Sequence, residues 1–306
     1  MLERYDFKLI KSGKEIEVYD YKDKKIIKGY TRGRRTIRNK TKKNILEKGR
    51  WSLDEIVREL EYQEQEQTQK TKFSISRTRT NIRRIANSNS HLDKFLTLTF
   101  AQPTTELTRA NKMFNTAIKR IVRAIPTFEY IAVVEFQKDT DYHGNKKEKG
   151  GSVHYHLLCN IHIPDNIDIF AWERRFAIRY WKNGFVKIKK VNTITNMGAY
   201  FCKYLSKDMF DKRMFGKKKF FCSQTLKKPI VLTGKEAEDF RNKYLKGVKP
   251  VYEKTFTNEH TGEVEYRAYT LKEDMSEKLE HDRELAEKEK HYATTRKACK
   301  KISKDI

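Results

Sequence analysis

His154 and His156 stand two residues apart in a stretch, Ser152–Asn160, whose alternation reads as a strand. Side chains at i and i+2 of a strand share one face, so both imidazoles can reach a single ion. Tyr155 between them then points into the opposite, packed face. Glu135 lies near the end of a preceding strand-like run, Tyr130–Phe136, where a carboxylate among apolar neighbours needs a partner. A polar hairpin over 138–151 would return the chain antiparallel and bring the two histidines alongside Glu135. One carboxylate and two imidazoles can hold a divalent metal, Mn2+ or Mg2+, with positions left for water and substrate. Gln137 takes the place of Glu135 if the register is shifted by two.

A second constellation lies further along the chain. Tyr200 and Tyr204 are four apart in a segment read as a helix over Thr195–Asp208, so they stack on one face. Lys203 and Lys207 sit three beyond each tyrosine. Nearby lysines favour the phenolate form of a tyrosine, and they hold phosphate as point charges. Each pattern has an ordinary reading as well: solvent-facing histidines on an edge strand, a half-buried aromatic stripe, a solvated basic helix edge.

The elements that must position these groups are legible around them. Phe95–Phe100 (FLTLTF) alternates and is rich in Thr and aromatics, as strands are. Leu107, Ala110, Phe114, Ala117, Ile118, Ile121 and Ile125 recur at helical spacing, and Pro126 stops the run. Ile169–Trp181 reads as a helix capped by Gly184, and Phe185–Val191 as another strand. The order β-α-β-β-α-β-α across roughly 95–208 predicts an α+β domain with a central antiparallel sheet and helices packed on it. Phe220–Leu226 and Pro229–Leu232 look extended, and Val251–Phe256 with Glu263–Thr270 form an expected hairpin. A capping box at Ser52 and Glu55 starts one N-terminal helix, and Thr80–Ala86 supplies a second short one. From Lys272 the chain is charged and without a matching apolar face, which predicts a solvent-exposed helix or disorder.

Composition narrows the partners. The chain of 306 residues carries 67 Lys/Arg against 41 Asp/Glu, a net +26 with His neutral, which argues for a polyanion. The charge is concentrated: residues 21–50 hold thirteen Lys/Arg against Asp23 and Glu47, densest over Thr31–Lys43, and 203–228 hold nine against Asp208 and Asp211. No run approaches the roughly 18–20 apolar residues of a membrane span, so no membrane partner is expected. The charged N-terminus and the scattered Cys159, Cys202, Cys222 and Cys299 suit reduced thiols in a cytoplasm, and the Lys-, Ile- and Asn-rich composition points to the AT-rich replicon of a bacterial cell. No GxxxxGK[ST] motif is present, so the chemistry is expected to run without an ATPase of its own.

Phe95–Phe100, His154-Tyr-His156 and Tyr200-x-x-Lys203-Tyr204-x-x-Lys207 occur in that order, and together they resemble the three motifs of HUH endonucleases, the rolling-circle replication initiators (Rep) of bacterial plasmids and single-stranded DNA phages. The resemblance covers roughly 95–230 and extends to Cys222–Pro229. It implies a sheet-centred, RRM-like nicking domain in which His154 and His156 bind the metal. Tyr200 and Tyr204 become candidate nucleophiles, used in alternation or singly. Glu135 as third ligand rests on the strand geometry and is consistent with the family pattern. Tyr155 is bulkier than the aliphatic residue usual between the histidines.

The resemblance implies a metal-dependent DNA endonuclease and strand transferase. Such an enzyme would nick single-stranded or hairpin origin DNA through a 5′-phosphotyrosine and leave a 3′-OH for a polymerase. Host helicase and polymerase are the further partners expected. The domain boundaries expected are a basic extension over 1–90, the nicking domain over 91–235, and a hairpin with a charged tail over 236–306. A relaxase or tyrosine transposase, or a non-catalytic nucleic-acid-binding protein on an RRM-like sheet, are the alternative readings.

Overall fold

The computed structural model describes residues 4–27, 72–140, 144–147, 151–191, 196–202, 212–214, 217–258, 260–285 and 288. The basic stretch Thr31–Lys43, the helix expected from Ser52, and Lys203, Tyr204, Lys207 and Cys299 lie outside these residues. In chain order the strands β1 (Arg4–Tyr5), β2 (Phe7–Ser12), β3 (Glu15–Tyr21) and β4 (Ile26–Ile27) come first. Helix α1 covers 72–87. Then follow β5 (Lys94–Phe100), α2 (Leu107–Ala124), β6 (Tyr130–Phe136), β7 (Val153–Cys159), α3 (Ile169–Phe176), β8 (Gly184–Lys190), α4 (Met197–Cys202) and β9 (Phe220–Cys222). The chain closes with β10 (Ile230–Thr233), α5 (Gly234–Phe240), β11 (Tyr252–Asn258), β12 (Gly262–Thr270) and a helix α6 over 276–285.

Contacts gather Gly29–Lys228 into one unit, and Met1–Lys28 with Pro229–Ile306 into another. The boundaries expected from sequence, at 90 and 235, differ from these because the first strands pair with the last. Strand β2 lies between β10 and β3, and β3 pairs with β12. In that terminal unit the antiparallel order is β10-β2-β3-β12-β11. Phe7, Leu9, Ile16, Val18 and Leu232 form its apolar core with Phe240, Leu245, Leu271 and Leu279. Buried Leu279 gives α6 an apolar contact that the charge pattern of the tail does not reveal.

Residues 29–228 hold the predicted α+β domain. Its sheet is antiparallel throughout in the order β8-β5-β7-β6-β9. Helix α2 connects β5 to β6 and α3 connects β7 to β8, a β-α-β-β-α-β arrangement with β5 and β7 at the centre. One face packs Leu96, Leu98, Ala132, Val134, Tyr155 and Leu157 under Phe114, Ala117 and Ile121 of α2 and Trp172 and Phe176 of α3. Helix α2 starts where the Glu106 carboxylate accepts from the Thr108 and Arg109 amides, each at 2.6 Å.

Helix α3 passes into a π turn, Ala177–Trp181, which drops Trp181 fully into the core, its Nε1 donating to the Thr99 carbonyl at 2.9 Å. Lys182, with φ 60°, ends this helix in the left-handed region, the role expected of Gly184. Gly184 instead opens β8, where a side chain would lie 2.3 Å from the Thr99 carbonyl oxygen.

Candidate metal and nucleotidyl-transfer site

Strand register places the chemistry. Residues directly opposite in neighbouring strands share a face. Across β8, β5, β7 and β6 one row runs Phe185, Thr99, His154, Glu135; the next runs Lys187, Thr97, His156, Val133; the third runs Lys189, Phe95, Leu158, Ile131. The third row is apolar at its centre because α1 and α4 cover it: Phe95, Ile131, Val133 and Leu158 pack with Ile75, Ile82, Ala86, Phe201 and Cys202. The polar residues of the first two rows lie beyond that apolar cover, on the face opposite α2. Tyr155 points to the α2 face, stacked on Phe114 at 4.2 Å with its hydroxyl donating to Asn111 Oδ1 at 2.7 Å.

Glu135 stands opposite His154, the register expected, and its carboxylate hydrogen-bonds His156 Nε2 closely. That hydrogen bond, helped by the charges of His156 and His154 and opposed by burial, holds the Glu135 carboxyl below its ordinary value. His156 is 6% exposed. Its Nδ1 lies 3.1 Å from Thr97 Oγ1, and its ring stacks on Phe95 at 5.4 Å. Thr97 and Phe95 therefore fix the plane of the imidazole, a role their alternation in the FLTLTF strand makes visible only once β5 and β7 are paired.

His154 differs. Its Nε2 is buried and has no hydrogen-bond partner among the described residues, although a buried nitrogen ordinarily has one. Burial, with His156 and Lys147 adding to it and Glu135 opposing, lowers its pKa below the ordinary imidazole value. A neutral imidazole with an orphaned nitrogen is the form that ligates a metal. As they stand, however, His156 Nε2 and Glu135 face each other, and among the described residues no group of three His, Cys, Asp or Glu is already arranged around one point. The donors suit a divalent ion in type; their seating around one requires the His156–Glu135 hydrogen bond to open.

Helix α4 brings Tyr200 beside this site. Its half-buried ring meets Phe95 edge-on at 6.0 Å, so Phe95 separates Tyr200 from His156. The helix is anchored on α1. Asn87 Oδ1 accepts from the Gly198 amide at 2.8 Å, Asn196 Oδ1 accepts from Ala199 at 2.9 Å, and Cys202 Sγ donates to the Arg79 carbonyl at 3.3 Å. A side chain at Gly198 would sit 2.4 Å from the Arg83 carbonyl oxygen, so only glycine allows the crossing. The structure thus brings Glu135, His154, His156 and Tyr200 to one face, while Tyr204, Lys203 and Lys207 fall outside the described residues.

The antiparallel β-α-β-β-α-β sheet thus carries the paired histidines on the face opposite α2, and the tyrosine-bearing helix α4 packs on that same face. Residues 93–209 match the family model of the replication-associated protein ORF2, a span that opens one residue before β5 and contains both histidines and both tyrosines. Over that span the chain is similar to this family of replication-associated proteins. Comparison with curated proteins and with solved structures returned no match. Among the described residues no helix is long and apolar enough to cross a membrane.

Proposed function

We propose that the protein is a replication initiator that nicks and rejoins single-stranded DNA at an origin through a 5′-phosphotyrosine intermediate. The observation that supports this reading best is the gathering of Glu135, His154 and His156 on one sheet face beside the helix that carries Tyr200, all within the replication-associated segment. Glu135, His154 and His156 would hold Mn2+ or Mg2+, which when bound supplies charge stabilisation at the scissile phosphate.

The tyrosine does the bond exchange. The phenolic oxygen of Tyr200 or Tyr204 attacks phosphorus as its proton is lost; the phosphorus–O3′ bond breaks, and the departing 3′ oxygen takes up a proton. The segment on the 3′ side of the nick stays attached through its 5′ phosphate as phosphotyrosine, and the other segment ends in a 3′-OH ready for a polymerase. Reversal by a 3′-OH rejoins the strand, because the phosphodiester is conserved in the tyrosyl ester. Lys203 and Lys207 would favour the phenolate and hold neighbouring phosphates. Thr97 and Phe95 keep His156 in one orientation throughout.

Labelled single-stranded DNA, including hairpins from candidate origins, incubated with protein and Mn2+ and run on a denaturing gel, tests the reading. A band retarded by one protein mass, absent with EDTA and in His154→Ala, is the expected outcome. Salt-sensitive binding without any covalent band would replace it with a non-catalytic sheet that only holds nucleic acid.

A further inference from the structure

We propose that the exposed edge strand β8 is a second contact for the DNA, a lane in which Phe185 stacks on a base of single-stranded DNA and Lys189, on the same face of the strand, carries a phosphate. The inference rests on the initiator reading for what His154 and Glu135 of the same row do, and it concerns residues outside that chemistry. Phe185 lies opposite Thr99, which lies opposite His154, so the three occupy one row on one face of the sheet. At the usual strand spacing Phe185 is about 10 Å from the His154 backbone. Its ring is 68% exposed. Close approach at Gly184 holds the strand against β5 and thereby fixes where Phe185 projects.

The charge around it has one sign. Residues 169–190 contain seven Lys/Arg and a single carboxylate, Glu173. That carboxylate is buried and already engaged: it accepts from the Ile188 amide at 2.8 Å and pairs with Lys187 at 3.3 Å. Lys187 also lies over the exposed ring of Phe170 at 4.6 Å. Lys189 and Lys190 are exposed and make no ion pair among the described residues. An exposed aromatic ring flanked by lysines along an accessible strand suits unpaired bases, whose faces are free to stack, better than a duplex, whose bases are already stacked.

Binding of an oligonucleotide of about 20 residues, read by anisotropy in EDTA so that no cleavage intervenes, tests the lane. A 2-aminopurine is walked along its sequence. Phe185→Ala should weaken binding by about 5- to 100-fold and restore the emission of 2-aminopurine at one or two positions, while Phe185→Trp binds as the parent does. Lys189→Ala should lower the slope of log K against log salt by about 0.7. Unchanged affinity and unchanged emission at every position in Phe185→Ala would overturn the proposal, as would an equal loss on duplex of the same length. Covalent adduct formation by the parent protein is scored separately: its failure removes the initiator reading and leaves the stacking result standing.

Discussion

Thr97 Oγ1 sits 3.1 Å from His156 Nδ1 across the β5–β7 ladder, leaving the other ring nitrogen of His156 facing Glu135. A hydroxyl can accept from Nδ1–H or donate to bare Nδ1, so Thr97 supports the ring both with Glu135 as its partner and with a metal in that place. Thr97→Val keeps the shape and removes the hydroxyl. Mn2+ affinity, measured by the loss of the free-ion resonance, should fall about 10- to 100-fold, and Thr97→Ser should restore most of it. Equal affinities in Thr97→Val and the parent would remove Thr97 from the site.

Gly198 sets how closely the tyrosine helix approaches α1. Gly198→Ala places a methyl against the Arg83 backbone oxygen, which cannot swing away as a side chain can. Overpacking of this kind destabilises by about 1–3 kcal/mol. Adduct formation should fall further than stability does, because Tyr200 shifts with the helix. Thermal unfolding and adduct yield measured on the same preparation separate the two effects.

Tyr155 lies between His154 and His156 and belongs to the core. Burial raises its phenol far above the ordinary value, and the hydroxyl is bonded to Asn111. Tyr155→Phe should keep full adduct formation and lose about 0.5–1.5 kcal/mol of stability. Loss of the adduct with an unchanged melting temperature would contradict the proposal that Tyr200 or Tyr204 is the nucleophile.

In the terminal unit, Lys11 is buried and donates to the Gly13 carbonyl at 2.9 Å, to Ser276 Oγ at 2.7 Å and to Asp274. Burial alone would raise the Asp274 pKa, but hydrogen bonds from Lys11 and Ser276 outweigh it and hold it below the ordinary carboxyl value. A depressed carboxyl contributes stability that is present above its unfolded pKa, about 3.9, and is lost as pH falls through the folded value. Asp274→Asn should therefore lower the melting temperature at neutral pH, by about 1–3 kcal/mol in stability once the exposure of Asp274 is allowed for. The gap to the parent should narrow below about pH 4. A gap constant down to about pH 2 would show that the carboxylate charge contributes nothing.

The placement of Glu135, His154 and His156 on one sheet face can be read from spacing alone. The bounds of the Tyr130–Phe136 strand are legible, since a run buried on both faces ends where polar residues begin. The Glu135–His154 pairing comes from a single hairpin return. Of the terminal sheet only the β11–β12 hairpin is legible. Strands β2 and β3 find partners more than 200 residues away, and no local period encodes such a pairing. Tail residue Leu279 is one of two leucines in a charged helix, the other, Leu285, being exposed, and it is recognisable as core only when the sheet it covers is known. The π turn that buries Trp181 and moves the left-handed position to Lys182 likewise depends on packing against Thr99 and has no sequence signature.

A tyrosine of the segment that begins at Met197 should become covalently joined to DNA during the reaction. Tandem mass spectrometry of a digest, after reaction with single-stranded origin DNA and Mn2+ followed by nuclease trimming, reads this directly. The account predicts a nucleotide-bearing peptide modified at Tyr200, Tyr204 or both. A nucleotide on any other side chain, or cleaved DNA with free 5′-phosphate and no modified peptide, would contradict it.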